Sequence, residues 1–410
     1  MNRKKNTISE IPAVLQEKKE VKNLYVLTQE YLQKRLQFRL NCFSGMVEYK
    51  KNNDSKYKPL SDRMINQLVV ASNQSGINTN KAIVSTVLNT EIISPEYNPL
   101  SEYIQSLPAW DGETDHIAEL ASRVVVKDNP NWHEHFKRWF VAMIASGIDS
   151  KVHNEVMLIL YGPQSIGKTT FLRNLIPSSL SSLFFSGLIN PANEEFLGHL
   201  SKFLLINMDE LVGMNRKSFK ELKEFLSKKD IYYRVKYDKF GQDFPRRASF
   251  AGTTNEQDFL FDLSGNRRFI CIEIQKIDNS SPLQLDKCYA QAYALYISGY
   301  RFWFDSEDIS ILEKQNSRFL NVSTEEEKIC ELFEPCESSD KDFLLTATEI
   351  AEYIFKRSVD NNTVRRVGIV LKAKGFVRKK KKSGNQAYCL KAINIDTLLE
   401  VGNYFHHIDT

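Results

Sequence analysis

The chain has 410 residues, of which 42% are hydrophobic and 26% are charged, and its formal net charge is +4. These values are ordinary for globular domains and exclude a mainly disordered or collagen-like chain. The length allows two or three domains at roughly 100–200 residues each. No apolar run reaches about 18 residues, so the sequence predicts no membrane-spanning helix and no membrane partner.

The cysteines and the N-terminus indicate the compartment. The basic N-terminus has no apolar stretch behind it, which argues against a secretory signal. No pair of cysteines has zinc-binding spacing, and a reducing cytoplasm is the expected location. The six cysteines are Cys42, Cys271, Cys288, Cys330, Cys336 and Cys389.

Patterning divides the chain into four predicted parts. Residues 1–94 read as a polar arm followed by a small α-rich or mixed domain, and residues 95–150 read as a helical collar or connector. In residues 151–335, apolar strands alternate with helices, which predicts an α/β domain. Residues 341–410 read as a separate basic domain.

The most specific motif follows a short apolar strand predicted over Glu155–Leu160. It reads GPQSIGKTT and matches the phosphate-binding loop in full. Glycines let the backbone wrap around phosphates, and the following helix N-terminus attracts anions. We therefore expect ATP and Mg²⁺ as cofactors, with Lys168 on the β- and γ-phosphates and Thr169 on the metal. The alternative is a chance match in a turn. The predicted nucleotide-binding residues are Gly162, Pro163, Gln164, Ser165, Ile166, Gly167, Lys168, Thr169 and Thr170.

Two further strands end in polar side chains. Phe203–Glu210 reads FLLINMDE, which places Asp209 to hold Mg²⁺ and Glu210 to polarise the attacking water. Asn255 ends the strand ASFAGTTN and is expected to contact that water or the γ-phosphate, because ligands gather at the carboxyl ends of parallel strands. The alternatives are a solvated acidic turn and an ordinary Asn turn.

A pair of arginines precedes another apolar strand. Either Arg267 or Arg268 fits an arginine finger that is supplied to the ATP of a neighbouring subunit, and the pattern favours Arg267. The other would then form a structural salt bridge.

A basic hairpin is predicted over Asp230–Arg247. In a ring it would place Lys239 in the central pore, with Lys236 nearby, to hold the phosphates of a DNA strand. A solvated surface hairpin is the alternative. Its basic residues are Arg234, Lys236, Lys239, Arg246 and Arg247.

The C-terminal part reads as helix, turn, helix and hairpin, the outline of a winged helix. Between Lys356 and Lys391 there are twelve basic residues and one acidic residue, Asp360. Such a density predicts contact with a phosphate backbone, and a merely solvated or localisation-type charge run is the alternative. The predicted DNA contacts here are Arg365, Arg366, Arg378, Lys379, Lys380, Lys381 and Lys382.

In this order, the motifs resemble those of superfamily 3 helicases, and more closely the virulence-associated E (VapE-like) proteins, relatives of poxviral primase-helicase ATPases. The resemblance spans about Phe38 to Phe333. It implies an AAA+-like P-loop core in a hexameric ring that tracks on single-stranded DNA during replication of a phage or mobile element. No primase-like domain is evident upstream, so a primase is expected to be a separate protein. The carriers are NPLSEYIQSLPAWDG, YGPQSIGKTTFLRNL, FLLINMDE, FAGTTNE, GNRRF and AYALYISGYRFWF.

The leading hypothesis is therefore an ATP-dependent DNA helicase or translocase that binds single-stranded DNA, with double-stranded DNA as a second option. One alternative is a DNA-binding ATPase switch that regulates or interferes with phage replication without unwinding. Another is a non-enzymatic DNA-binding protein on a degenerate ATPase fold.

Overall fold

The computed structural model describes residues 23–187, 194–209, 211, 214, 216–234, 240–260, 266–320, 324–337, 339 and 341–406. Three residues with predicted roles lie outside these ranges, namely Glu210, Lys236 and Lys239. No helix in the described ranges is long and apolar enough to cross a bilayer.

The N-terminal part combines three helices with a four-stranded sheet of order β3-β2-β1-β4. Ser61 and Asn80 begin two of its helices by accepting hydrogen bonds from backbone N–H groups three residues on. Leu32, Phe38 and Val84 are buried together between helices and sheet. The elements are α1 (Leu24–Gln33), β1 (Leu36–Asn41), β2 (Val47–Lys51), β3 (Lys58–Pro59), α2 (Asp62–Gln74), α3 (Lys81–Leu88) and β4 (Glu96–Tyr97).

The next stretch leads into the main core. Asn98 caps its first helix and also donates through Nδ2 to the Gly147 carbonyl at 2.8 Å, which fixes the entry of this segment. Its longest helix is buried on nearly every side. The elements are α4 (Pro99–Gln105), α5 (His116–Ala121), β5 (Val124–Val126) and α6 (Trp132–Ile148).

The predicted α/β domain is present as a six-stranded, mostly parallel sheet with helices on its faces. Its strand order is β5-β12-β6-β11-β8-β7, and only β5 is antiparallel to its neighbour. Two apolar clusters cover the faces. The elements are β6 (Met157–Tyr161), α7 (Lys168–Arg173), β7 (Phe184–Gly187), α8 (Glu194–Lys202), β8 (Leu205–Met208), α9 (Arg216–Ser227), β9 (Asp230–Tyr233), β10 (Gln242–Pro245), β11 (Ser249–Thr254), β12 (Phe269–Ile277), α10 (Leu285–Ile297) and α11 (Ser306–Asn316).

The C-terminal part has its own apolar cluster, which includes Ile329, Val367 and Leu390. Its two central helices are followed by the hairpin β15–β16, in the order read from the sequence. Thr346 begins the first of them with a reciprocal capping box to Glu349. The elements are α12 (Thr324–Leu332), β13 (Phe333–Pro335), β14 (Phe343–Leu345), α13 (Ala347–Phe355), α14 (Asn361–Ala373), β15 (Arg378–Lys380), β16 (Gln386–Ala392) and α15 (Ile395–His406).

Candidate functional site

The phosphate-binding loop joins the central strand β6 to helix α7. β6 is buried along Met157–Leu160, and α7 begins directly after the loop at Lys168. Gly167 precedes the helix with φ +89°, in the left-handed region where a side chain would be strained. The sequence therefore builds the strand, loop and helix that the motif requires.

Lys168 is held inside this loop and is only 7% exposed. Its Nζ donates three hydrogen bonds of 2.7 Å, to the carbonyls of Gly162 and Pro163 and to Oδ1 of Asn255. Burial lowers the pKa of Lys168, and the nearby Asp209 carboxylate opposes that shift. The ammonium is thus positioned by neutral acceptors, so its positive charge remains available to an anion.

Two hydroxyl groups meet the carboxylate that follows β8. Oγ1 of Thr169 donates to Oδ1 of Asp209 at 3.1 Å, and Oγ1 of Thr253 donates to the same oxygen. Hydroxyl and carboxylate oxygens suit Mg²⁺, which usually keeps several waters and takes further ligands from phosphates. Within the described ranges, no group of three or more His, Cys, Asp or Glu side chains is placed to hold a metal alone. The donor set at Thr169 and Asp209 therefore fits a magnesium ion that arrives with a nucleotide.

Strand β11 explains why these groups converge. It lies between β6 and β8, with Thr254 beside Tyr161 and Gly252 beside Met208, so its carboxyl end lies between the loop and Asp209. Thr253 was not predicted as a site residue, although it stands two positions before Asn255. A cavity of about 320 Å³ opens here. Its lining residues are Gln164, Ser165, Gly167, Lys168, Thr169, Thr170, Asp209, Thr253, Thr254 and Asn255.

A larger cavity of about 870 Å³ lies beside the loop. Asn279 belongs to its wall and also donates through Nδ2 to the Gly167 carbonyl at 3.4 Å, so this cavity is adjacent to the phosphate-binding loop. Arg173 and Phe184 also line this cavity, with the guanidinium carbon of Arg173 5.7 Å from the ring centre of Phe184. The space beside the phosphate-binding loop thus offers an aromatic ring, a cation and an amide.

The two candidate finger arginines lie near the amino ends of the parallel strands, whereas the phosphate-binding loop lies at their carboxyl ends. Both belong to a short 3₁₀ turn just before β12, whose first residue Phe269 is level with Met157 at the start of β6. Four strand residues separate that level from the loop, about 13 Å. Arg268 donates through Nε to Oγ of Ser227 at 2.8 Å, whereas Arg267 is exposed. Arg267 thus lies at the opposite end of β6 from the phosphate-binding loop of its own chain.

The hairpin of β9 and β10 is present and antiparallel. Two of its predicted basic residues, Arg246 and Arg247, are buried and so do not belong to a DNA-facing surface. Arg247 donates to the Gly147 carbonyl at 3.3 Å.

Arg246 ties together the base of the hairpin. Its guanidinium donates at 2.6–3.1 Å to four carbonyl oxygens, which belong to Asn154, Leu226, Lys228 and Ala248. Burial lowers the pKa of Arg246 to about 10. This side chain therefore joins the end of α9 to the residues just before β6 and β11.

The seven basic residues of the C-terminal part that are predicted to contact DNA fall into two groups. Arg366 donates to Glu325 at 2.7 Å, and Lys381 donates to both carboxylate oxygens of Glu349 at 2.7 Å. The others are exposed and form no ion pair within the part of the chain that the structure describes, which leaves their charges available. They are Arg365, Arg378, Lys379, Lys380 and Lys382.

The sequence matches the model of the virulence-associated protein E-like domain over residues 104–321, slightly more than half of the chain. The chain belongs to this family. None of the curated proteins matches it in sequence.

The fold is similar to two solved A-form apo structures of the NrS-1 C-terminal region. One is 14% identical and has a TM-score of 0.51, and the other is 15% identical with a TM-score of 0.50. In both comparisons the match covers 90% of this chain and 100% of the other. At such low identity the similarity concerns the fold alone.

Proposed function

We propose that the chain is a Mg²⁺-dependent ATPase with an AAA+-like core, which acts as a hexameric ring and moves along or unwinds DNA. The observation that carries this proposal is the convergence of Lys168, Thr169, Asp209 and Asn255 at the carboxyl ends of three neighbouring strands. Membership of the VapE-like family supports the same chemistry.

Each residue has a role that follows from its chemistry. Lys168 exchanges loop carbonyls for the β- and γ-phosphate oxygens, and Thr169 and Asp209 hold Mg²⁺, which neutralises the charge of the phosphates. Asn255 is bonded to Lys168, so a γ-phosphate that attracts the lysine also frees the amide to contact that phosphate or the water. Glu210, which follows Asp209 in the sequence, is proposed to polarise the water.

The cavity of about 870 Å³ is proposed to receive the nucleoside. It adjoins the loop through Asn279 and Gly167, and Phe184 offers a face on which a base can stack.

DNA contacts are proposed at the hairpin, through Lys236 and Lys239, and on the winged-helix-like C-terminal part. Five exposed cations of that part are not neutralised by ion pairs in the described ranges, which supports backbone contact there. The resemblance to VapE-like proteins suggests replication of a phage or mobile element, with a primase as a separate partner.

The first test is ATP hydrolysis by the purified chain with and without single-stranded DNA, beside Glu210→Gln. We expect DNA-stimulated hydrolysis that this substitution abolishes. No hydrolysis in either condition would contradict the ATPase assignment.

Strand displacement then separates the motor from a regulatory switch. If the protein is a motor, Lys239→Ala abolishes displacement and retains ATP hydrolysis, and Lys151→Ala at an exposed lysine outside the hairpin sequence serves as its control. Intact hydrolysis without any displacement by the unmodified chain would favour the switch.

Mixing of variants tests whether Arg267 acts on a neighbouring subunit. Arg267→Ala and Lys168→Ala should each lack activity, and a mixture should regain part of it, because some interfaces then combine an intact loop with an intact arginine. Absence of recovery in mixed rings would contradict this role.

A further inference from the structure

One end of the N-terminal sheet carries a group of basic side chains that the proposed ATP and DNA contacts leave unused. We refer to this group as the basic corner. Between residues 34 and 58 the sequence has seven basic and two acidic residues, so the region is strongly positive for its size. The basic corner consists of Lys34, Arg35, Lys50, Lys51, Lys56 and Lys58.

Strand pairing brings these cations together. β1 pairs with β2 through Leu36 and Lys51, which places Arg35 next to Lys51 at the end of the sheet. β2 pairs with β3 through Tyr49 and Lys58, and continuation of that register places Lys56 level with Lys51. Three adjacent chain segments thus carry cations at the same end of the sheet, and their backbones are about 5 Å apart from one segment to the next. Asn52, which follows β2, donates through Nδ2 to the Lys34 carbonyl at 3.0 Å, and this hydrogen bond joins two segments of the basic corner.

The charges of the corner are not neutralised inside the described part of the chain. None of its six cations forms an ion pair there. Of the two acids in this stretch, Glu48 accepts from Arg39 at 3.0 Å and from the Tyr97 hydroxyl at 2.6 Å. Of the acids in residues 34–58, that leaves Asp54 to offset the six positive charges of the corner.

Aromatic rings hold two of these cations in place without cancelling their charge. The guanidinium carbon of Arg35 lies 3.9 Å from the ring centre of Tyr31, and Nζ of Lys50 lies 4.9 Å from that of Tyr57. A ring attracts a cation through its quadrupole, so the net positive charge persists, whereas a carboxylate would neutralise it. The corner is therefore arranged in advance for an anion that extends over several contacts.

We propose that the basic corner is a second nucleic-acid surface, which binds the phosphate backbone of a strand independently of its base sequence. Exposed Asn52, Asn53 and Ser55 in the same turn add neutral hydrogen-bonding groups of the kind that contact phosphates. This surface does not depend on ATP hydrolysis, so its test requires no nucleotide.

The test compares two full-length variants that lose the same charge. The first changes Arg35, Lys51 and Lys56 to Gln. The control changes Lys151, Lys287 and Lys314 to Gln, which are exposed elsewhere and form no ion pair within the described ranges. Affinity for a labelled single-stranded oligonucleotide is measured between about 50 and 200 mM salt, because each lost phosphate contact lowers the slope of log affinity against log salt by about 0.7.

We expect the slope to fall by about 2 in the corner variant and by less than 1 in the control. Equal slopes in both variants would overturn the proposal. Asp54→Lys supplies a test in the opposite direction and should steepen the slope. If the triple variant does not fold, an unchanged slope in Asp54→Lys would also overturn the proposal.

Matched duplex DNA and RNA identify which backbone the corner prefers. Polyglutamate tests for an acidic protein as the ligand. If the triple variant lost binding only to polyglutamate, the corner would be a protein-binding surface and the proposal would be wrong.

Discussion

Removal of the Thr253 hydroxyl should weaken magnesium-dependent catalysis while it leaves the fold intact. Thr253 is 3% exposed, and its hydroxyl donates to the oxygen of Asp209 that also accepts from Thr169. Valine has nearly the same shape, so Thr253→Val deletes this hydrogen bond and little else.

The magnitude follows from the charge of the acceptor. A hydrogen bond to a charged group contributes about 1.5–3 kcal/mol, and loss of an outer partner of a metal ligand typically costs about 10–100-fold in metal affinity or activity. We expect the Mg²⁺ concentration for half-maximal ATP hydrolysis to rise at least about tenfold. Binding of nucleotide without Mg²⁺ should change little, because Lys168 and the loop are untouched.

The assay is ATP hydrolysis across a magnesium titration, paired with binding of a fluorescent nucleotide in the presence of a chelator. Thr254→Val is the matched control, because Thr254 is equally buried and its hydroxyl accepts from the backbone N–H of Glu256 instead. Equal magnesium dependence in the two variants would refute the role of Thr253 at Asp209.

Three further predictions concern stability and DNA binding. Arg246→Met should lower the free energy of unfolding by about 3 kcal/mol or more, because buried carbonyls lose their donor, whereas exposed Arg234→Met should change it by less than about 0.5 kcal/mol in urea titrations. Burial, reinforced by Arg138 and opposed by Asp308 and Glu134, lowers the pKa of His135 from 6.5 to about 4. The neutral imidazole therefore contributes to the free energy of unfolding above pH 6.5, and up to about 3 kcal/mol of that free energy is lost as the pH falls toward 4. The variant His135→Gln should not show this loss. Equal pH dependence of the unfolding free energy in the two proteins would contradict the prediction. Arg365→Gln should reduce the salt slope of DNA binding by about 0.7–0.9, whereas neighbouring Arg366→Gln, which loses the ion pair to Glu325, should lower the melting temperature instead; the reverse pattern would show that Arg366 is the contact.

Local patterns predicted the parts of the site that depend on chain order. A strand, a glycine-containing loop and a helix start are adjacent in sequence, so Lys168 and Thr169 were predictable from the motif and its context. The placement of Asp209 and Asn255 followed from a general property of parallel sheets, because both residues stand at strand ends.

Residues whose role depends on distant neighbours were not predictable in this way. Arg246 belongs to a basic run, yet four carbonyls from separate segments surround it, and no local pattern reveals them. Strand β5 was missed within a stretch predicted as a helical connector, because three valines acquire their partner only when β12 is in place. The difference in role between Arg365 and Arg366 likewise depends on Glu325, some forty positions earlier, because this carboxylate forms an ion pair with Arg366.

Strand β11 has a consequence for how two ligands would influence each other. The amino end of β11 is joined to the base of the hairpin, where Arg246 donates a hydrogen bond to the Ala248 carbonyl. Its carboxyl end continues into Asn255, which accepts a hydrogen bond from Lys168. Hydrogen bonds to β6 and β8 on both sides restrict bending of β11, so we expect a displacement at one end of the strand to be transmitted to the other. Binding of a DNA strand to the hairpin and binding of a nucleotide to the phosphate-binding loop would then be thermodynamically linked. Linkage is reciprocal, so whatever factor DNA imposes on nucleotide affinity, nucleotide imposes on DNA affinity.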